Sequence, residues 1–115
     1  MGKRILVIDD EEMNLAAIRI ILEDSGHEIS TRSDPVAGIE DALTQDFDLV
    51  LTDVRMPVRN GAEVVEAILA KKPAARVLVI SAYSSDPLVD RALKAGALGF
   101  LQKPFEIAKI LDYLK

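Results

Sequence analysis

The chain has 115 residues, half of them hydrophobic and 29% charged, which is the composition of one ordinary globular domain spanning residues 1–115. No cysteine is present and His27 is the single histidine, so disulfide frameworks, thiolate zinc sites, cysteine nucleophiles and multi-histidine metal sites are excluded. Fourteen basic against 19 acidic residues leave a net charge of −5, without a basic footprint for nucleic acid, and apolar runs of about four residues cannot span a membrane.

Met1 to Arg4 lead directly into the first apolar run, Ile5-Leu6-Val7-Ile8. A signal peptide needs a longer apolar stretch, so the chain reads as cytoplasmic. Leu15, Ile18 and Leu22 then share one helical face, and Gly26 is a plausible stop. Residues 28–31 are more polar and read as an edge strand, with His27 before them given no role. Asp34-Pro35 supply an N-cap and first helical residue for a helix whose face is Val36, Ile39 and Leu43. Residues 49–51 form the next strand. Asn60 and Glu63 have capping-box spacing ahead of Val64, Ile68 and Leu69, and the helix stops before Pro73. Residues 77–80 form a fourth apolar run, and Asp86-Pro87 repeat the cap-plus-proline start before Val89, Ala92 and Leu93, with Gly96 as stop. A weaker strand covers residues 98–101, and Ile107, Ile110, Leu111 and Leu114 mark a last helix.

Strand and helix thus alternate five times, and the strands are continuous apolar runs rather than alternating ones. Such runs are buried on both faces, as in a parallel sheet. The pattern predicts a doubly wound α/β fold with helices on both sides.

In an open parallel sheet, ligands bind beyond the carboxyl ends of the strands, where strand order reverses. Asp9 and Asp10 follow the first strand, Asp53 the third, Ser81 the fourth and Lys103 the fifth. Taken singly, each has an ordinary explanation. Glu11 and Glu12 suit a helix N-terminus, Asp53 a turn, Ser81 a local hydroxyl bond and Lys103 a surface charge. Together they gather three carboxylates at one edge. Like charges about 4 Å apart repel by roughly 4 kcal/mol at an effective dielectric near 20, so a compensating cation is expected. Hard oxygen ligands suit Mg²⁺, which takes one or two carboxylates together with phosphate oxygens. Three carboxylates, one divalent ion and one lysine sum to zero charge, the balance of a phosphoryl-handling site.

These residues resemble a two-component response-regulator receiver domain over nearly the whole chain. The matching pieces are the strand ending in Asp9-Asp10, residues 49–57 with Gly61, residues 79–82, and residues 95–105 ending in Lys103-Pro104-Phe105. The resemblance implies a five-stranded sheet of order 2-1-3-4-5. It implies that Asp53 accepts a phosphoryl group from a sensor histidine kinase or phosphotransfer protein. Asp10, Asp53 and the Arg55 backbone carbonyl would hold Mg²⁺, with Asp9 acting mainly through water. Lys103 would pair with a phosphoryl oxygen, across a cis Lys103-Pro104 bond, and Ser81 would donate its hydroxyl. Phe100 stands where the family places a rotating aromatic switch. Phenylalanine cannot hydrogen-bond there, so coupling would rest on packing alone. Arg55 and Tyr83, two positions past Asp53 and Ser81, would flank the path of attacking water and lengthen the phosphoryl lifetime. The family also implies a signalling switch rather than an enzyme, a possible output domain, and possible homodimerisation through the fourth helix, fifth strand and fifth helix. Residues 52–57 are similar to those of receivers that precede transcriptional ATPase modules.

Other readings fit less well. A haloacid-dehalogenase-type phosphohydrolase wants aspartates two apart after the first strand, whereas here Glu11 follows Asp9-Asp10. An FMN carrier wants a Ser/Thr/Gly-rich phosphate loop there, and acidic residues occupy it. A module unable to be phosphorylated would lack one of the required side chains, and all are present.

Overall fold

A computed structural model describes residues 2–103 and 107–114. Pro104 and Phe105 of the Lys103-Pro104-Phe105 motif lie outside the described residues, as does the side chain of Ile107. Ten elements alternate: β1 (Arg4–Ile8), α1 (Glu12–Asp24), β2 (Glu28–Arg32), α2 (Pro35–Thr44), β3 (Leu49–Asp53), α3 (Gly61–Lys71), β4 (Val77–Ser81), α4 (Pro87–Ala95), β5 (Gly99–Gln102) and α5 (Ile107–Asp112). All neighbouring strands pair in parallel, in the order β2-β1-β3-β4-β5. Strand order reverses between β1 and β3, as the doubly wound reading requires.

The two faces of β1, β3 and β4 feed two separate cores, which is why their apolar runs are continuous. Ile5, Val7, Leu49, Leu51, Leu78 and Ile80 pack with Leu15, Ile18 and Leu22 of α1 and with Ile110 of α5. Leu6, Ile8, Val50, Val77 and Val79 pack with Val64, Val65 and Ile68 of α3 and with Val89 and Ala92 of α4. Each fully buried aliphatic side chain contributes about 1.5–3 kcal/mol of transfer free energy.

The caps behave as their spacing predicts. Asp34 and Asp86 accept the backbone N–H groups of Val36 and Leu88, and Asn60 with Glu63 completes a reciprocal capping box. Two helix faces differ from expectation. In α2 the buried residues are Pro35, Gly38 and Ala42, while Val36 is exposed. A Cβ on Gly38 would lie 2.6 Å from Cδ1 of Ile8, so the helix meets β1 through its smallest residues and turns Val36 outward. In α4, Val89 and Ala92 are buried but Leu93 is exposed. β5 begins at Gly99, one residue later than expected, and Leu98 is exposed before it.

Candidate functional site

Each strand delivers its last residues to one edge of the sheet. β3 ends in Asp53 itself, and α3 starts directly over it. A Cβ on Gly61 would lie 2.3 Å from the Asp53 carbonyl oxygen, so only glycine lets the helix begin there. The N–H of Gly61 donates to the Val54 carbonyl at 2.8 Å and closes the β3–α3 loop. In that loop Val58 holds a φ of 71°, a left-handed conformation that costs a β-branched residue strain.

Asp9, Asp10 and Asp53 each offer a carboxylate oxygen, and these oxygens lie within 4.8 Å of one another. Asp9 and Asp53 are buried, whereas Asp10 is exposed. Asp9 is already engaged: one oxygen accepts the Glu11 N–H at 3.0 Å, and the other accepts the Asn14 side-chain amide at 3.4 Å. Asp53 accepts the Val54 N–H at 2.8 Å. Lys103 Nζ stands 3.4 Å from Asp53 Oδ2 and 3.5 Å from Asp9 Oδ2, a single ammonium shared by two carboxylates. The backbone of β5 brings it there, because the Lys103 N–H donates to the Ser81 carbonyl at 2.8 Å.

Burial raises the Asp53 pKa, the Asp9 charge raises it further, and Lys103 only partly opposes them. For Lys103, burial pulls the pKa down, but Asp53 and Asp9 outweigh it and the net shift is upward. The pocket therefore carries more negative than positive charge, three carboxylates against one ammonium. An all-oxygen donor set with one exposed and two buried carboxylates fits a hard divalent cation.

Five of the residues singled out in the sequence therefore meet at this edge: Asp9, Asp10, Asp53, Lys103 and, adjoining through its carbonyl, Ser81. The Ser81 hydroxyl faces elsewhere. It donates to the Tyr83 carbonyl at 3.0 Å and accepts the Tyr83 N–H at 3.1 Å, a closed local turn. Tyr83 itself is exposed. Phe100 pairs in register with Val79 and packs, partly buried, against the α3/α4 core. Arg55 does not point at Asp53. Its guanidinium grips Asp86, the N-cap of α4, with Nε and Nη2 each 2.8 Å from a carboxylate oxygen. Sequence reasoning identified Asp86 as a cap only, and it did not identify Asn14 beside Asp9. Neither contact has a local pattern that would reveal it.

A family model for the response regulator receiver domain matches residues 5–115. The chain belongs to the response-regulator receiver family. Receivers of this family are signalling switches in two-component systems. Among relatives, the chemotaxis protein CheY of Thermotoga maritima is 30% identical over 115 residues, covering 99% of this chain and 96% of that protein. The transcriptional regulatory protein ZraR of Escherichia coli is 37% identical over 102 residues, covering 89% of this chain but 23% of that protein. This receiver thus spans nearly all of one relative and under a quarter of the other. A Burkholderia pseudomallei response regulator, solved with a phosphorylated aspartic acid, a calcium ion and citrate, matches with a TM-score of 0.88 and 27% identity over 99% of this chain and 67% of that one. The haloacid-dehalogenase alternative finds no support. No described helix is long and apolar enough to cross a membrane.

Proposed function

We propose that residues 1–115 form a receiver that accepts a phosphoryl group on Asp53 from the phosphohistidine of a sensor kinase or phosphotransfer protein, in a Mg²⁺-dependent reaction. The observation that carries this reading is the shared grip of Lys103 on Asp53 and Asp9 beside the three-carboxylate cluster. An Asp53 carboxylate oxygen forms the new bond to phosphorus as the nitrogen–phosphorus bond breaks, and the departing imidazole keeps the electron pair and takes up a proton. A loose, in-line transfer of this kind needs positioning and charge neutralisation more than a strong nucleophile.

Asp10, Asp53 and the Arg55 carbonyl would hold Mg²⁺, with Asp9 acting through water because its oxygens already accept protein donors. The ion would neutralise charge on the transferring phosphoryl oxygens. Lys103 would leave Asp9 and pair with one of those oxygens. Ser81 would break its turn with Tyr83 and donate its hydroxyl to another, moving the head of the β4–α4 loop. Phe100 follows by packing, since it has no hydroxyl to anchor it. These shifts bias a two-state element toward an output domain or partner in the cytoplasm. A homodimer through α4, β5 and α5 is one form such output takes. Once phosphorylated, the site would have Arg55 and Tyr83 flanking the approach of water, as the family resemblance implies, with Arg55 first leaving Asp86. Neither carries a carboxylate or amide to orient the water, so the phosphoryl group should be long-lived. The Arg55→Asn/Tyr83→Glu double variant should lose it faster.

Intact-mass measurement after incubation with acetyl phosphate tests the assignment. One phosphoryl group should add only when Mg²⁺ is present, and none should add to Asp53→Asn. Undiminished addition to that variant would show that another residue is the acceptor.

A further inference from the structure

The Arg55–Asp86 pair lies outside the carboxylate cluster yet joins the two loops that follow Asp53 and Ser81. Asp86 has a side chain only 3% exposed, while that of Arg55 is 67% exposed. One Asp86 oxygen accepts both the Leu88 N–H at 2.9 Å and Arg55 Nη2 at 2.8 Å. The other accepts Arg55 Nε at 2.8 Å. The Asp86 N–H donates to the Tyr83 carbonyl, the same carbonyl that accepts the Ser81 hydroxyl. Asp86 thus closes the 81–86 turn with its backbone N–H, while its buried carboxylate caps α4 and holds the cation that stands two residues beyond the phosphoacceptor. Among the described residues, Arg55 is the one cation within 4 Å of it.

Phosphorylation changes what that cation is offered. The Asp53 side chain goes from a charge of −1 to about −2 and gains acceptor oxygens. The pocket already stretches one lysine across two carboxylates. Arginine binds bidentately to a carboxylate or to a phosphoryl group with similar geometry, and one guanidinium cannot fork onto both. If Arg55 leaves, Asp86 keeps a buried charge without a counter-ion, a state that folded proteins relieve by admitting water or moving the element concerned.

We propose, resting on the phosphoacceptor reading above, that Asp86 is a positioning residue that holds Arg55 off the pocket, and that Arg55 exchanges Asp86 for the phosphoryl group, releasing the first turn of α4. The exchange carries the signal to α4 by a route separate from the Ser81 hydroxyl.

The probe is beryllofluoride with Mg²⁺, titrated into the protein and followed by NMR. Asp86→Asn keeps an amide oxygen for the Leu88 N–H, as asparagine is a good N-cap, but loses the charge that retains Arg55. It should bind beryllofluoride at least about fivefold more tightly than wild type, within the usual size of intramolecular coupling. Arg55→Ala should show no such gain, and the double variant should behave as Arg55→Ala. In wild type the Arg55 Nε–H resonance should shift on beryllofluoride addition, and the Leu88 amide should exchange faster. A merely structural clamp would instead lower the melting temperature of both single variants without tightening binding in either. Wild-type affinity in Asp86→Asn, or an unmoved Arg55 resonance, overturns the exchange while leaving the phosphoacceptor reading intact. Failure of wild type to bind beryllofluoride overturns both.

Discussion

The two ends of the sheet handle charge in opposite ways. At the N-terminal edge, Arg4 donates to the Asp46 carbonyl at 2.9 Å and to Gln45 at 3.0 Å, lies 5.0 Å from the centre of the Phe47 ring, and offers its backbone N–H to Asp48 at 2.8 Å. Lys72 reaches the Gln45 carbonyl at 2.9 Å from the end of α3. These groups are half-buried or exposed, and the contacts tie the chain into β1 and β3. At the C-terminal edge, two buried carboxylates share one lysine, and a third, exposed carboxylate stands beside them. The same fold therefore balances charge where it needs order and leaves it unbalanced where it needs a ligand. The surplus of anions at one edge, rather than the number of acidic residues overall, marks the site.

That contrast can be broken most severely with metal. Mg²⁺ should stabilise the wild-type fold, by about 2.7 kcal/mol at one hundred times its dissociation constant. Asp10→Asn should weaken Mg²⁺ binding by about one to two orders of magnitude. Asp9→Asn should weaken it less, because its carboxylate is held by Glu11, Asn14 and Lys103. Fluorescence titration separates these cases, and equal losses would show that both residues coordinate directly.

Next in size is Lys103→Ala. It removes the cation that competes for the pocket, so metal binding should be kept or tightened. The spectral change on phosphorylation should nevertheless be lost, since one phosphoryl oxygen loses its charged partner. A full wild-type change in this variant would remove Lys103 from the mechanism.

A smaller effect is expected on stability itself. Burial and Asp9 raise the Asp53 pKa above its unfolded value. The folded state is then penalised as pH rises through the interval between the unfolded and folded pKa values, and the full penalty remains above it. Without divalent cations, Asp53→Asn should therefore be more stable than wild type at neutral pH, by about 1 kcal/mol. The gain should vanish in acid, below the ordinary carboxylate pKa, where Asp53 is protonated in both states. Urea unfolding across that range measures it. Smallest of all, Arg4→Ala at the opposite edge should cost about 1 kcal/mol or less and leave the Mg²⁺ titration unchanged.

Much of this molecule is legible in its sequence because the signals involved are local. Continuous runs such as Leu49 to Leu51 declare strands buried on both faces, and Asp34, Asn60 and Asp86 declare helix starts through donors two or three residues away. The strand-end rule then places Asp9, Asp10, Asp53 and Lys103 together before any coordinate is known. The α2 face was not legible, because a glycine carries no hydrophobic signal although its missing Cβ lets the helix settle on Ile8. Nor was the direction of the Ser81 hydroxyl, which depends on the path of the turn at Tyr83. The grip of Arg55 on Asp86 spans 31 residues and two loops. Periodicity reaches only a few residues along the chain, whereas that contact exists because β3 and β4 lie side by side and deliver their following loops to the same edge. Only the folded sheet decides it.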